Sequence, residues 1–128
     1  MDKVLFVGLG GFLGAVLRYW VGGWAQNVSG SHNFPFGTLA VNLLGCLLMG
    51  FLIRMTEVSE WLNAQTRLFA MVGVLGAFTT FSTFGGETFI LLRDGKNLMG
   101  LMSVGAHLLF GLAGVWAGYR FGVLIGNP

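Results

Sequence analysis

The stretch Gly73-Val-Leu-Gly76-Ala-Phe-Thr79-Thr80-Phe81-Ser82-Thr83-Phe84-Gly85-Gly86-Glu87 lies in the middle of a long apolar segment. It combines hydroxyl groups, glycines and a carboxyl group with phenylalanines. In hydrocarbon every backbone polar group needs a partner, and irregular backbone persists only where it is buried in protein or lines a wet cavity. A polar, glycine-rich centre in a membrane helix is therefore costly unless the protein uses it.

The composition around this stretch is that of an integral membrane protein. Of 128 residues, 55% are hydrophobic and only 9% are charged, which is typical of membrane chains and excludes a basic nucleic-acid-binding surface. We expect one domain over residues 1–128, no cleavable signal peptide and no nucleic-acid partner. The single cysteine, Cys46, forms no disulfide within one chain, and we interpret it as a small buried hydrophobic residue.

Four segments are apolar over about 20 residues or more, the helical length that crosses a hydrocarbon core of roughly 30 Å. They are 4–25, 36–55, 66–92 and 98–125. Short polar segments separate them, as expected of loops between antiparallel neighbours. Trp20, Trp24 and Trp61 lie near predicted span ends, where amphipathic rings are common. The sequence therefore predicts an all-α membrane protein with four transmembrane helices.

Lysine and arginine are divided almost evenly between the two predicted sides of the membrane. One side carries Lys3, Arg54, Arg67 and Arg120, and the other carries Arg18, Arg93 and Lys96. Because positive residues set the orientation of a membrane protein, such a division allows insertion either way up. We therefore expect an antiparallel, dual-topology homodimer, in which two copies supply the inverted symmetry that many transporters carry within one chain.

The third predicted span is too long for a straight helix. Residues 66–92 would extend about 40 Å at roughly 1.5 Å per residue, so we expect a break near residues 76–80. Interrupted membrane helices expose carbonyl and N–H groups that bind ions. Beyond the break, Phe81 and Phe84 share one helical face, either as core packing or with the positive edges of their rings turned to a small anion. We infer that an ion uses the neighbouring hydroxyl groups, which belong to Thr79, Thr80, Ser82 and Thr83.

Polar residues in the first two spans have two possible roles each. Arg18 shares a helical face with Gly10, Gly14 and Gly22, so it either snorkels to the interface or lines an aqueous vestibule. In the second span Thr38 and Asn42 are one turn apart. The Asn42 amide either joins two helices or donates to a pore.

Polar residues of the third and fourth spans also have alternative roles. Glu87 either snorkels to the headgroups or accepts hydrogen bonds from nearby hydroxyl groups. In the fourth span Ser103 precedes His107 by one turn, and His107 is either a buried neutral group or part of an ion pathway.

Together these motifs resemble those of the Fluc (CrcB) fluoride channels of microorganisms, over nearly the whole chain. The matching residues are Gly10-Gly11-x-x-Gly14-x-x-x-Arg18, Gly37-Thr38-x-x-Val41-Asn42 and Gly76-x-x-Thr79-Thr80-Phe81-Ser82-Thr83-Phe84. The resemblance implies a passive, fluoride-selective channel in the cell inner membrane that exports fluoride. It also implies a dual-topology homodimer with two pores.

The resemblance further implies roles for individual residues. Ring edges of Phe81 and Phe84 line the pore, with Asn42 at its vestibule end. The polar track consists of Ser82 and Thr83, with Glu87 along it, and Arg18 lies near the vestibule. A structural sodium ion is held by the main-chain oxygens of Gly76 and Thr79 from both subunits. The fourth span departs from some members, because Ser103, His107 and Gly111 stand where those members have a tyrosine and two serines.

Three alternative functions compete with a channel. A small four-helix proton-coupled exporter needs an acid in the first span, where this chain has Arg18. A non-transporting assembly subunit accounts for the glycines and leaves the phenylalanine and hydroxyl track unexplained. An enzyme is the weakest alternative, since the sequence has no recognisable catalytic or metal-ligand constellation.

Overall fold

The structure, a computed structural model, describes residues 2–59 and 62–126. Within those ranges all regular secondary structure is helical. Four helices are long and apolar enough to cross a membrane: Asp2–Ser29, Phe36–Val58, Ala64–Arg93 and Asn97–Ile125. The prediction of an all-α, multi-pass membrane protein is thereby confirmed. Trp61, which we expected at a span end, lies outside the described residues.

The third span is divided into several helical segments, whereas the other three spans are single helices. The elements are α1 (Asp2–Ser29), α2 (Phe36–Val58), α3 (Ala64–Arg67), a π-helix (Leu68–Leu75), α4 (Gly76–Phe78), α5 (Phe81–Arg93) and α6 (Asn97–Ile125). A π-helix is uncommon and often marks a functional region. The sequence analysis did not predict it.

Two glycines end helices by adopting the left-handed backbone conformation. Gly30 follows α1 with φ 61°, and Gly95 follows α5 with φ 76°. At Gly95 the N–H of Lys96 donates to the Leu91 carbonyl at 2.8 Å, and the N–H of Gly95 donates to the Leu92 carbonyl at 3.1 Å. This is the Schellman arrangement, which satisfies the last carbonyls of a helix and needs a residue without a Cβ at its centre.

The third span changes its neighbours along its length. Its π-helix and α4 pack mainly on α1, whereas α5 packs on α6. The most extensive helix pair is α2 with α6. The third span therefore crosses the bundle from one partner helix to another, and it does so next to α2.

Glycines allow the helices to approach one another closely. A Cβ on Gly14 of α1 would collide with the backbone carbonyl of Val74, and a Cβ on Gly118 of α6 would collide with that of Leu47. Small residues at helix crossings are the usual means of tight packing in membranes, where the hydrophobic effect does not drive helices together. The close-packing role predicted for the glycines of the first and fourth spans is thus confirmed at these two positions.

The buried core is small. Its central cluster consists of Val41, Leu75 and Phe78, with Leu17 and Met49 among the half-buried side chains that pack against it. Most other large apolar side chains are exposed, including Trp20 and Trp24 of α1. Such an apolar exterior is the surface that a membrane protein presents to lipid or to another copy of itself.

We expect Gly118→Ala to destabilise the bundle. The added methyl group must displace the backbone of α2, and such overpacking typically costs about 1–3 kcal/mol. The free energy of unfolding in detergent, measured by titration with a denaturing detergent, should fall by that amount. Gly105→Ala is the matched control on the same helix, because nothing lies within 4 Å of a Cβ at Gly105. Equal stability of the two variants would contradict the close approach of α2 and α6.

Candidate functional site

The centre of the site is a pair of non-helical residues in the third span. Thr79 has φ −87° and ψ 159°, and Thr80 has φ −153° and ψ 114°. Both residues are extended, so the regular backbone hydrogen bonds of an α-helix stop between α4 and α5. The Thr79 N–H still donates to the Leu75 carbonyl at 3.0 Å, whereas the backbone groups of Thr80 need other partners, because they lie within a span of the membrane.

Asn42 of α2 supplies the partners of the Thr80 backbone. Its Oδ1 accepts from the Thr80 N–H at 2.8 Å, and its Nδ2 donates to the Thr80 carbonyl at 3.1 Å. One amide side chain thus satisfies both backbone groups of a residue 38 positions away in sequence. The amide has a second N–H, which this pairing leaves for the groove that Asn42 lines. The Asn42 side chain joins α2 to the third span, which is one of its two predicted roles. It also lines a groove.

The Thr80 hydroxyl group starts α5 and begins a chain of hydroxyl groups. Its Oγ1 accepts from the Thr83 N–H at 3.2 Å, which is an ordinary helix N-cap. The same hydroxyl donates to Thr83 Oγ1 at 2.9 Å and lies 3.4 Å from Ser82 Oγ. Three hydroxyl groups predicted to belong to the site are therefore linked to one another.

Gly45 provides the space that Thr79 occupies. A Cβ at Gly45 would collide with Thr79 Cγ2, while Thr79 Oγ1 donates back to the Leu75 carbonyl at 2.9 Å. Gly45 lies one turn after Asn42 on the same face of α2. One face of α2 therefore provides both the hydrogen bonds to the Thr80 backbone and the space for the Thr79 side chain.

The first of two grooves at the site is lined by aromatic rings, and we call it the aromatic groove. It has a volume of about 340 Å³. Phe81 and Phe84 lie with ring centroids 5.6 Å apart at 58°, and Phe84 lies 4.2 Å from the His107 ring at 39°. Phe81 is 84% exposed in the single chain. Other lining residues include Asn42, Cys46, Met49, Thr79 and Thr80.

The second groove is polar, and we call it the polar groove. It has a volume of about 470 Å³ and is lined by Arg18, Thr38, Thr83 and Glu87, among others. Thr80 lines both grooves. Thr80, whose backbone Asn42 holds, therefore forms part of the wall of both grooves.

Glu87 has an incomplete set of hydrogen bonds in the polar groove. Its carboxyl interacts with the Thr38 side chain. One carboxyl oxygen, Oε2, is buried and has no hydrogen-bond partner among the described residues. A buried carboxylate oxygen without a donor is unusual in a protein. Glu87 thus retains an acceptor for a donor that enters the groove.

Ser103 and His107 lie in different surroundings although they are one turn apart on α6. Ser103 is 0% exposed, and its hydroxyl group pairs with Thr88 at 3.2 Å. It lines neither groove. His107 lines the aromatic groove, with Nδ1 2.9 Å from the Ser103 carbonyl and a buried Nε2 that has no partner among the described residues. The structure thus brings His107 to the predicted site and leaves the Ser103 hydroxyl apart from it.

The two predicted main-chain ligands of sodium, Gly76 and Thr79, lie at the same interruption. Gly76 begins α4 and is exposed, and Thr79 ends that segment. The helical donor to the Gly76 carbonyl would be the Thr80 N–H, and the donor to the Thr79 carbonyl would be the Thr83 N–H. Both N–H groups bond elsewhere, to Asn42 and to Thr80 Oγ1. Both carbonyl oxygens therefore lack their helical partner.

Sequence reasoning missed several residues at the grooves. Gln26 accepts from the Gly37 N–H at 2.9 Å and donates to the Phe34 carbonyl at 3.2 Å, so it joins the end of α1 to the start of α2. Cys46, interpreted only as a buried hydrophobic residue, lines the aromatic groove beside Met49. The sequence signal for Gln26 was its place at a span end, where a polar residue alone has no specific meaning.

Comparison with known proteins supplies the family. The family described as "CrcB-like protein, Camphor Resistance (CrcB)" matches residues 5–119. The chain is 45% identical over 118 residues to the fluoride-specific ion channel FluC 3 of Methanosarcina barkeri, covering 92% of this chain and 88% of the relative. It is 43% identical over 122 residues to the fluoride-specific ion channel FluC of Thermus thermophilus, with 95% and 94% covered.

A third relative comes from a different organism. The fluoride-specific ion channel FluC of Oceanobacillus iheyensis is 40% identical over 120 residues, which are 94% of this chain and 91% of that protein. The match thus extends over the α1–α6 bundle and includes both grooves. On this similarity, the chain belongs to the CrcB-like family.

Proposed function

We propose that this protein is a fluoride-selective ion channel that lets fluoride leave the cell passively and so protects the cell from fluoride toxicity. The observation that carries the proposal is that Thr80 lines both grooves, and we propose that the ion path joins them there. Hydroxyl groups, the Asn42 amide and two phenyl rings surround this junction. The names of the curated relatives, fluoride-specific ion channels, support the same function and agree with a transport protein and not an enzyme.

The chemistry of the grooves suits a small, strongly hydrated anion. Fluoride gives up its water only where compact donors replace it. Hydroxyl groups, an amide N–H and the positive edges of phenyl rings provide such donors without a full positive charge. A site of this kind holds the ion well enough to admit it and loosely enough to release it, as conduction requires.

Charged and polar side chains have separate roles along the proposed path. Arg18 lines the polar groove and attracts anions into it. Thr38 and Thr83 continue the hydroxyl track, and Glu87 accepts hydrogen bonds at its edge. His107 is the polar side chain that α6 contributes to the aromatic groove. The carbonyl of Ser103 orients its ring.

The conducting unit is an antiparallel, dual-topology homodimer with two pores. The extended residues form the break at which the third spans of two copies cross. Exposure of Phe81 in a single chain supports this proposal, because a phenyl ring of a pore needs protein around it. The even distribution of lysine and arginine supports insertion in both orientations, in an inner cell membrane with lipid around the dimer.

A structural sodium ion fits the crossing point of the two copies. The Gly76 and Thr79 carbonyls lack their helical donors, and two copies offer four such oxygens. Oxygen-only ligation suits a hard cation. When bound, sodium would neutralise the partial negative charge of the carbonyl ends of both α4 helices.

Fluoride efflux from reconstituted liposomes tests the function. Vesicles loaded with potassium fluoride should release fluoride as soon as a potassium ionophore dissipates the membrane potential, with no proton gradient applied. A fluoride electrode follows the release. Vesicles loaded with potassium chloride are the matched control and should keep their chloride. Release that requires proton exchange, or transport of organic cations alone, would identify a proton-coupled exporter.

Replacement of the phenyl rings tests the proposed anion contact. Phe81→Ile and Phe84→Ile remove the ring edges and keep most of the volume. We expect each to slow fluoride release about tenfold or more, which corresponds to roughly 1.4 kcal/mol of added barrier. Phe110→Ile is the control, since Phe110 lines neither groove. Size-exclusion chromatography should find all three variants as dimers, and wild-type release in both groove variants would assign the rings to packing.

Asn42→Asp tests the amide at the junction. The carboxylate repels fluoride and has no N–H for the Thr80 carbonyl, so we expect release to fall to the rate of empty liposomes. Asn33→Asp makes the same chemical change in an exposed loop and should keep wild-type release. The proposed role of Asn42 fails if its dimeric aspartate variant conducts as the wild type does.

A further inference from the structure

The aromatic groove is lined by one side chain whose charge changes near neutral pH, His107 of α6. Histidine gains its second ring proton within roughly pH 5–8. No aspartate, glutamate, lysine or arginine is among the described residues that line this groove, and its other titratable group is the Cys46 thiol. The charge of the groove therefore depends on whether the His107 ring is neutral or protonated.

The hydrogen bond to Ser103 fixes the neutral form of the His107 ring. Nδ1 lies 2.9 Å from the Ser103 carbonyl oxygen, and because a carbonyl only accepts, this nitrogen carries the ring proton. Nε2 is then the nitrogen with a free lone pair. It is buried, and it has no hydrogen-bond partner among the described residues. A second proton would therefore bind to Nε2 and leave the hydrogen bond to Ser103 in place.

The carboxyl group of Glu87 on α5 is the charged group that acts on His107. The two side chains interact electrostatically. The Oε2 atom of Glu87 is also buried without a partner among the described residues. The two side chains thus leave two buried acceptor atoms without a donor, whereas buried acceptors are normally satisfied. Protonation of Nε2 would turn one of these acceptors into a donor and would give the Glu87 carboxylate a cation as its neighbour.

The remaining charged groups of the helices that pack on α6 lie away from His107. These helices are α2 and α5. On α2, Arg54 pairs with Glu57 at 3.1 Å near the end of the helix. On α5, Arg93 is the last residue and pairs with Asp94 at 2.9 Å. Because neither pair lines the aromatic groove, the ionisation of His107 depends on its own surroundings and on one carboxyl group.

The His107 ring adjoins the proposed ion path through Phe84. Their ring centroids lie 4.2 Å apart, and Phe81 follows at 5.6 Å from Phe84. The His107 side chain is half-buried and lines the groove. The charge of a protonated imidazole spreads over the whole ring, so it acts on an anion in the groove although Nε2 is buried. Because this attraction is much stronger in protein than in water, a protonated ring would hold fluoride beside Phe84 and delay its exit.

We propose that His107 takes up a proton when fluoride occupies the aromatic groove, and that the protonated ring slows fluoride conduction at acid pH. The proton comes from water, an N–H bond forms at Nε2, and no group is oxidised or reduced. The inference rests on the proposed function and names a regulation of the same site. Because the coupling of two binding events is reciprocal, fluoride should favour protonation of the ring, and acid should favour fluoride binding.

Fluoride currents across planar bilayers test the effect on conduction, with the full-length protein and the same pH on both sides. We compare about pH 8 with about pH 5.5, which lie on either side of the ordinary titration of histidine. On acidification the maximal current should fall about tenfold, which corresponds to roughly 1.4 kcal/mol of added barrier. The half-saturating fluoride concentration should fall as well, because the ion is held more tightly. An unchanged current, or a lower current without tighter half-saturation, would overturn the proposal.

Variants, each compared with its own current at alkaline pH, assign the acid effect to one ring. His107→Asn keeps a side-chain N–H and gains no proton, so its current should be the same at both pH values. Glu87→Gln should weaken the acid effect, because the protonated ring loses its carboxylate. His32→Asn removes the only other histidine, and Cys46→Ser removes the other titratable group of the groove. Both of these controls should respond to acid as the wild type does. An acid effect that persists in His107→Asn, stays undiminished in Glu87→Gln or disappears in either control would contradict the proposal.

Histidine NMR separates failure of this inference from failure of the proposed function. In the His32→Ala protein with isotope-labelled histidine, His107 gives the single ring signal. In detergent at about pH 8 the ring should carry its proton on Nδ1, and it should gain a second proton on acidification. At one intermediate pH, more of the ring should be protonated in fluoride than in chloride. Protonation that depends on fluoride, without any fluoride current, would keep the linkage and reject the channel. Fluoride current with a ring that stays neutral down to about pH 5 would keep the channel and reject the linkage.

Discussion

A backbone that leaves helical geometry inside a membrane must find hydrogen-bond partners within the protein, and here Asn42 provides them to Thr80. Without this amide, the carbonyl and the N–H of Thr80 would lie in an apolar span unpaired, each at a cost of several kcal/mol. The extended conformation of Thr79 and Thr80 therefore depends on a side chain of another helix. Both grooves depend on it in turn, because Thr80 lines each of them.

The same face of α2 also sets how closely the third span approaches. Gly45 leaves the space that the Thr79 methyl group fills. A hydrogen-bonding residue and a residue without a side chain, one turn apart, thus act on neighbouring positions of one interruption. Glycines elsewhere, such as Gly118 against Leu47, bring α2 and α6 together in the same way. The same packing arrangement therefore brings helix backbones close together and provides hydrogen bonds to the interrupted helix.

The two grooves differ in chemistry although they share a residue. The polar groove has an arginine, a glutamate and hydroxyl groups, whereas the aromatic groove has rings, sulfur atoms and an imidazole. The lining of the polar groove has one cationic side chain, Arg18, and the lining of the aromatic groove has no lysine or arginine. In the proposed channel, fluoride would pass from hydroxyl donors to ring edges at Thr80.

The sequence by itself determined the number of spans and the residues at the centre of the site. Spans are visible because about 20 consecutive apolar residues are a local property that lipid requires. The unusual segment around Thr79 and Phe81 is visible because polar residues and glycines in such a span are costly. Tertiary structure alone decided that Asn42 pairs with Thr80, that Ser103 pairs with Thr88 and that Cys46 faces the groove of His107. These pairings depend on the rotation and the depth of each helix relative to its neighbours, which the periodicity of a single span does not encode.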